Sequence, residues 1–177
     1  MTTGEPTIAE RLLKAIGDEL QKKYIAVVFE HDRVIRSHAI YEATAIEGLI
    51  ESIVAWHFCP DADKHLSFIA LMFVTAEVPF SQKIEILLKV LKNSYADIVM
   101  DIPGLENKLN SLRKFRNKLA HSELVLDDKK IDARKLGISL RSVGRKGKLV
   151  EEFISAEQCD ERIRAAQRLR WLSLIHI

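Results

Sequence analysis

Apolar residues in the first two thirds of the chain recur at helical spacing, and sharp breaks separate the runs. Ile8, Leu12, Ile16 and Leu20 return every four residues, the stripe of an amphipathic helix. Thr7-Ile8-Ala9-Glu10 reads as the capping box that starts it, because the threonine hydroxyl and the glutamate carboxylate satisfy unpaired N–H groups reciprocally. Gly17 weakens this helix without forbidding it. From about Asp32 to Phe58 a second helical pattern runs without proline, continuous with the first if the chain bends, and Cys59-Pro60-Asp61 ends it. Segment 62–80 reads as a buried helix in preference to extended chain; its apolar run from Leu66 to Phe80 is short for a bilayer span of roughly 20 residues. Ser81 is placed to cap a helix over about 82–96, with Ile84, Leu87, Leu88, Leu91 and Tyr95 inward. Pro103-Gly104 breaks the chain, and Leu105, Leu109, Leu112 and Leu119 predict a helix over 105–121.

After Asp127-Asp128 the period changes. Residues 138–143 and 149–154 read as two strands flanking Gly144-Arg145-Lys146-Gly147, a β-hairpin with a glycine-containing turn. A last helix over 156–171 carries Ile163, Ala166, Leu169 and Leu172 on one side. The pattern predicts one all-α domain: a helical bundle over 8–122, a small C-terminal β-hairpin in a basic region over 126–154, and a final helix. The last six residues, LSLIHI, are the translation of CTG TCT CTT ATA CAC ATC, which resembles a transposon end used to tag sequencing libraries. We therefore expect 172–177 to be read-through, and His176 enters no site.

Composition narrows the class without naming it. With 177 residues, 47% of them apolar, and only 7 Gly and 4 Pro, the chain is neither disordered nor collagen-like. The net charge of +2 hides a split: residues 1–107 hold 10 basic and 16 acidic side chains, while 108–177 hold 17 basic and 9 acidic. Lys129 to Lys148 alone carries eight basic residues against the single acid Asp132, so a polyanion would meet the last 70 residues. Cys59 and Cys159 lie far apart with no CxxC, and His31, His38, His57 and His65 fit no compact ligand set, so no metal site or cofactor is expected. The opening MTTGEPTIAE lacks the features of a signal peptide, and no membrane span is expected; a cytoplasmic location fits best.

Candidate chemistry gathers on the 105–121 helix. On a wheel with Leu105 at 0°, Leu109, Leu112 and Leu119 fall within about 40° of it and Arg116 at about 20°, inside the apolar stripe. A guanidinium cannot shed its charge when desolvated, so it must find a carboxylate, a phosphate or a water-filled pocket. Asn117 and His121 lie one turn apart on an adjacent face. Glu42 or Glu47, on the 32–58 helix, is placed to face Arg116 across the bundle; such a pair would either serve a site or merely fix helix register.

The string RKFRNKLAHS at 113–122 resembles the Arg-(x4 to x6)-His signature of the HEPN superfamily (higher eukaryotes and prokaryotes nucleotide-binding domains), here Arg116-Asn117-Lys118-Leu119-Ala120-His121. The resemblance covers roughly residues 8–122 and leaves the hairpin and final helix outside the superfamily core. It implies a metal-independent endoribonuclease, often a toxin or a defence or RNA-processing component, working as a homodimer with two motifs facing across one cleft. Arg116 and His121 would be the catalytic residues, with Asn117, Glu42 and Glu47 in support. Toxins of the superfamily paired with a small nucleotidyltransferase often carry Tyr two residues after the His, where this chain has Glu123. Many relatives keep the fold as a nucleotide- or protein-binding module, and an antitoxin or other protein partner fits that alternative. On the basic region, Lys118, Arg141, Arg145, Lys146 and Lys148 are candidate RNA-backbone contacts. No aromatic residue lies between Phe115 and Phe153, so a base-stacking platform is not indicated.

Overall fold

A computed structural model describes residues 8–125, 137–144 and 147–175, with side chains for all of these except 8–10 and 172–175. The Thr7 capping box, the whole of the basic run before Gly137, Arg145 and Lys146, and the side chain of Leu172 lie outside the described residues. The described chain is mostly helical, with six α-helices and a small antiparallel sheet before the last of them.

The two helical patterns at the start form one helix, α1 (Ile8–Phe58), 51 residues long. No proline interrupts it, and Gly17 does not bend it into two elements. Its inner half carries Ile35, Ala39, Ala43, Ile46, Ile50 and Val54, all buried at three- and four-residue intervals. None of residues 11–30 is buried, so the Leu12, Ile16 and Leu20 stripe faces open space.

Segment 62–80 is more broken than its sequence suggests. Helix α2 (Ala62–Ile69) starts at Asp61, whose side chain accepts from the Asp63 N–H at 3.1 Å. It widens into a π-helical stretch, Ala70–Thr75, and the chain then turns through Glu77, held at φ +48°. Before Phe80 only His65 and Phe73 are buried here, while Leu66, Leu71 and Val74 are exposed. The expectation of a buried helix fails because the segment is an outer layer: one stripe packs inward, and its other apolar positions are exposed. Helix α3 (Phe80–Ser94) starts two residues earlier than expected, with Pro79 at the N-cap position and Ser81 already inside. The Pro79 carbonyl accepts from the Gln82 and Lys83 N–H groups at 2.9 and 3.1 Å. Ile84, Leu87, Leu88 and Leu91 are buried as the spacing requires, whereas Tyr95, outside the helix end, is 41% exposed.

A short helix α4 (Ala96–Asp101) leads to α5 (Leu105–His121), which Gly104 opens in the left-handed region at φ +72°. Two residues after α5 ends, β1 (Glu123–Leu124) pairs with β2 (Gly137–Val143), which pairs with β3 (Leu149–Ser155). The expected hairpin is present with Ile138 opposite Ile154 and Val143 opposite Leu149. The third strand was not legible, since two residues carry no period. At Gly137 a β-carbon would lie 2.4 Å from the Phe153 ring and 2.5 Å from the Ile154 carbonyl oxygen, so only glycine fits the start of β2. Helix α6 (Ala156–Ile175) opens on a capping box: the Gln158 N–H donates to Ser155 Oγ at 3.2 Å, and the Ser155 N–H to Gln158 Oε1 at 3.1 Å.

Two apolar clusters hold the fold. One joins α1, α3, α5 and α6 through residues such as Ile46, Ile50, Ile84, Leu87, Leu112 and Leu169. The other contains Ile35, Ala39, Phe115, Leu119, Ile138, Leu140, Ile154, Cys159 and Ile163. The sheet and final helix are therefore half of the packing around the end of α5, not an appendage to a finished bundle. Among the described residues no helix is long and apolar enough to cross a membrane.

Candidate functional site

Helix α5 buries Leu109, Leu112, Phe115 and Leu119, and Leu119 is fully buried at its last turn. Phe115 turns the buried arc away from Arg116, which sits near its margin and is half-buried. The Arg116 Nη1 donates to Asn117 Oδ1 at 3.0 Å. His121, the final residue of the helix, is exposed. The motif thus puts a guanidinium, an amide oxygen and an open imidazole within the last turn and a half of one helix.

The expected acidic partners are elsewhere. Buried Glu42 faces the final helix: its Oε2 lies 3.4 Å from Arg170 Nε, and its Oε1 accepts from Gln167 Nε2 at 3.4 Å. Glu47 faces α3, where Lys83 Nζ reaches Glu47 at 2.7 Å and Glu51 at 2.6 Å. Neither carboxylate meets Arg116. The cause is the packing of α1, whose circumference is shared among α3, α5 and α6, so both acids are spent on register. At Lys83, burial works against the charge, but the hydrogen bonds to Glu47 and Glu51 outweigh it and hold the ammonium above its ordinary range.

The side chains that do position the motif were missed in the sequence. Arg36 Nε donates to both oxygens of Asp32, at 2.9 and 2.8 Å, and its Nη1 donates to the Leu119 carbonyl and, at 2.9 Å, to that of Ser122. The last carbonyls of α5 carry the negative end of the helix dipole, and Arg36 gives them a cation and a donor together. Asp32 and Arg36 stand one turn apart on α1, an i, i+4 pair of a kind common on helix surfaces. Arg162, from α6, lies 5.0 Å over the ring of Phe115, the residue before Arg116. Below it Cys159 is buried; burial pushes its thiol up to about 11, against the opposing pull of Arg162.

The basic face is more neutralised than its sequence suggests. Lys118 pairs with Glu152, and Arg141 donates to Glu151 from Nε at 3.0 Å and from Nη2 at 2.7 Å. Both acids come from β3, which brings them across the sheet to the cations. Lys148 is exposed at the hairpin loop, where its carbonyl accepts from the Gly144 N–H at 2.7 Å. A cavity of about 520 Å³ opens between α1, α3, α4, α5 and α6, but its walls are apolar, with Ile46, Trp56, Leu87, Tyr95 and Leu109 among them, and it offers no cation to a phosphate. Among the described residues no group of three or more His, Cys, Asp or Glu side chains is arranged to hold a metal ion. No protein-family model, curated protein or solved structure matches this chain.

Proposed function

We propose that the chain is an endoribonuclease of HEPN type that cleaves RNA at the end of α5. The observation that carries this reading is the grouping of Arg116, Asn117 and exposed His121 on one helix end that Arg36 and Asp32 clamp in place. RNA supplies its own nucleophile, the 2′-OH beside the scissile phosphate, so the protein has only to move protons and stabilise charge. His121 takes the 2′-OH proton as the oxygen attacks phosphorus, or delivers a proton to the departing 5′-oxygen; either role is worth about 10²–10⁴-fold. Arg116 holds the phosphate oxygens as negative charge builds on them, and Asn117 aims the guanidinium. The bond from phosphorus to the 5′-oxygen breaks and a 2′,3′-cyclic phosphate remains. A second copy of the chain facing the motif would supply the other proton-transfer group.

Fluorescent RNA incubated with the protein in EDTA tests this reading. Cleavage leaving cyclic phosphate ends, and lost in both His121→Ala and Arg116→Ala, is expected; intact RNA with wild-type protein refutes it. The alternative is a helical module that binds a nucleotide, RNA or a protein without cutting. It draws support from the pairing of Lys118 and Arg141 with Glu152 and Glu151, which leaves less free cation beside the motif for a backbone. Thermal stabilisation by a mononucleotide, with RNA left intact, selects it.

A further inference from the structure

We propose that the outer half of α1 is a docking surface for a second copy of this chain, the two helices pairing antiparallel with Lys23 beside Glu30 of the second copy. The surface is a row of side chains with a strict seven-residue repeat, exposed except for half-buried Tyr24 and His31. Leu13, Leu20, Val27, Val34 and Tyr41 form one line, and all are exposed. Gly17, Tyr24, His31 and His38 interleave with them at the same interval, so the two lines alternate by three and four residues. That is the seam of a two-helix coiled coil, with a period of 3.5. The inner face of the same helix is different: Ile35, Ala39, Ala43, Ile46, Ile50 and Val54 advance mostly by four, the spacing of a helix lying against a globular body. One helix thus carries two such faces, and among the described residues only the inner one is packed into a core, with Arg170, 5.6 Å over the Tyr41 ring, reaching the end of the other.

The uncovered face is costly alone. The seam from Leu13 to Tyr41 runs about 42 Å at 1.5 Å per residue. An isolated helix of such mixed composition is marginal in water, and its usual support is a packed apolar face. A partner helix with the same repeat supplies that support, and the chain itself carries one.

Charge selects how the two copies lie. In an antiparallel pair the lines interdigitate in registers one heptad apart. With Tyr24 on Val27 of the second copy, Lys23 lies beside Glu30, twice by symmetry; His31 then packs on Leu20, His38 on Leu13, and Gly17 opposite Val34. A slide by one heptad in one direction sets Lys23 against Lys23, and in the other Glu30 against Glu30. A parallel pair stacks His31 on His31 and His38 on His38, with Val28 and Ile35 as the neighbours of Lys23 and Glu30. Only the first register pairs opposite charges and buries no like pair. Glu30 is already extended by Arg33, which it accepts from at 2.6 and 2.8 Å in an exposed pair, and its carboxylate keeps lone pairs for an ammonium.

The overlap, residues 10–41 of each copy, gives a strip of about 48 by 10 Å per helix, roughly 1,000 Å² for the two, the least that a specific contact requires. The contact is therefore weak and reversible. It separates the two Arg36 positions by about 31 Å along the pair, so it does not bring two motifs together. Pairing through the motif face would be a second, independent two-fold contact, and both at once would build assemblies larger than a dimer.

Sedimentation equilibrium of the full chain from about 1 to 200 µM tests the proposal, with reversible dimer formation expected in that range. Leu20→Glu with Val27→Glu should abolish association through α1, independently of any pairing at the motif face, and leave the thermal melt unchanged, since neither residue belongs to either core. Lys23→Glu and Glu30→Lys should each weaken association about tenfold, and the double variant should return it to within about threefold of wild type. In a Cys59→Ser background, Lys23→Cys mixed with Glu30→Cys should give the mixed disulfide on oxidation. A monomer across the whole range, a dimer indifferent to Leu20→Glu with Val27→Glu, no rescue in the charge swap, or a Lys23→Cys self-linked product in place of the mixed one would each overturn it.

Discussion

The two halves of α1 have the same helical character and opposite fates. From Ile35 onward one row of apolar side chains, Ile35 to Val54, is sealed by α3, α5, α6 and the sheet; before Asp32 equally apolar side chains stand open. Leu20 and Ile50 would be read identically from a hydrophobic pattern, yet one is 62% exposed and the other 2%. Periodicity establishes that a helix has an apolar face. What covers that face depends on chain that arrives later, here residues 80–169, and those reach only the inner half.

The sharpest way to break the contrast is at Lys83, the buried cation that ties α3 to the inner half. Lys83→Met leaves Glu47 and Glu51 without their shared ammonium one turn apart, and urea unfolding should show a loss of about 3–5 kcal/mol. Ile50→Ala, in the same half, should cost about 2–5 kcal/mol through the cavity it leaves.

Cys159 separates a sealed region from an open one by chemistry. With its thiol pushed up to about 11, the native chain should react with iodoacetamide at half-buried Cys59, while Cys159 labels on the order of 100-fold more slowly until urea is added. The sign for stability follows. The fold favours the protonated thiol, so stability is intact below the ordinary thiol range and falls as pH rises through it towards about 11. Cys159→Ala should flatten that alkaline limb in a pH series of urea midpoints.

Smaller effects sharpen the boundary between the halves. Arg36→Ala strands buried Asp32 and uncaps α5, an expected loss of about 1–3 kcal/mol with faster amide exchange in its last turn. Ile16→Ala should move the unfolding midpoint of dilute, monomeric protein by less than about 0.5 kcal/mol. A larger change there would mean that the outer half is covered in solution even at low concentration.

The elements were largely legible because they rest on local spacing: the 105–121 helix, both long strands with the glycine-containing turn between them, and the inward row Ile163, Ala166 and Leu169. The contacts were not. Glu42 and Glu47 lie on α1 where a wheel puts them, but which neighbour each meets depends on how α3, α5 and α6 divide its circumference. Segment 62–80 misled because an apolar run reads as buried wherever it stands, and this one is an outer layer. Arg36 escaped notice since its partners are the backbone carbonyls of Leu119 and Ser122, which no side-chain pattern marks. Around the motif, Arg116, Asn117 and His121 were visible as residue types at a spacing; the clamp that fixes them was visible only in three dimensions.

Mechanically, α1 is a lever. Arg36 lies about 42 Å from its first turn and about 33 Å from its last, at 1.5 Å per residue. The same guanidinium that joins this rod to the end of α5 is thus its fulcrum. A tilt of one degree about that point sweeps the outer tip through about 0.7 Å, by simple proportion of the rod's length. Read in reverse, a load on the outer tip reaches the end of α5 as a torque, carried by Arg36 together with the packing of Ile35 and Ala39 on Phe115 and Leu119.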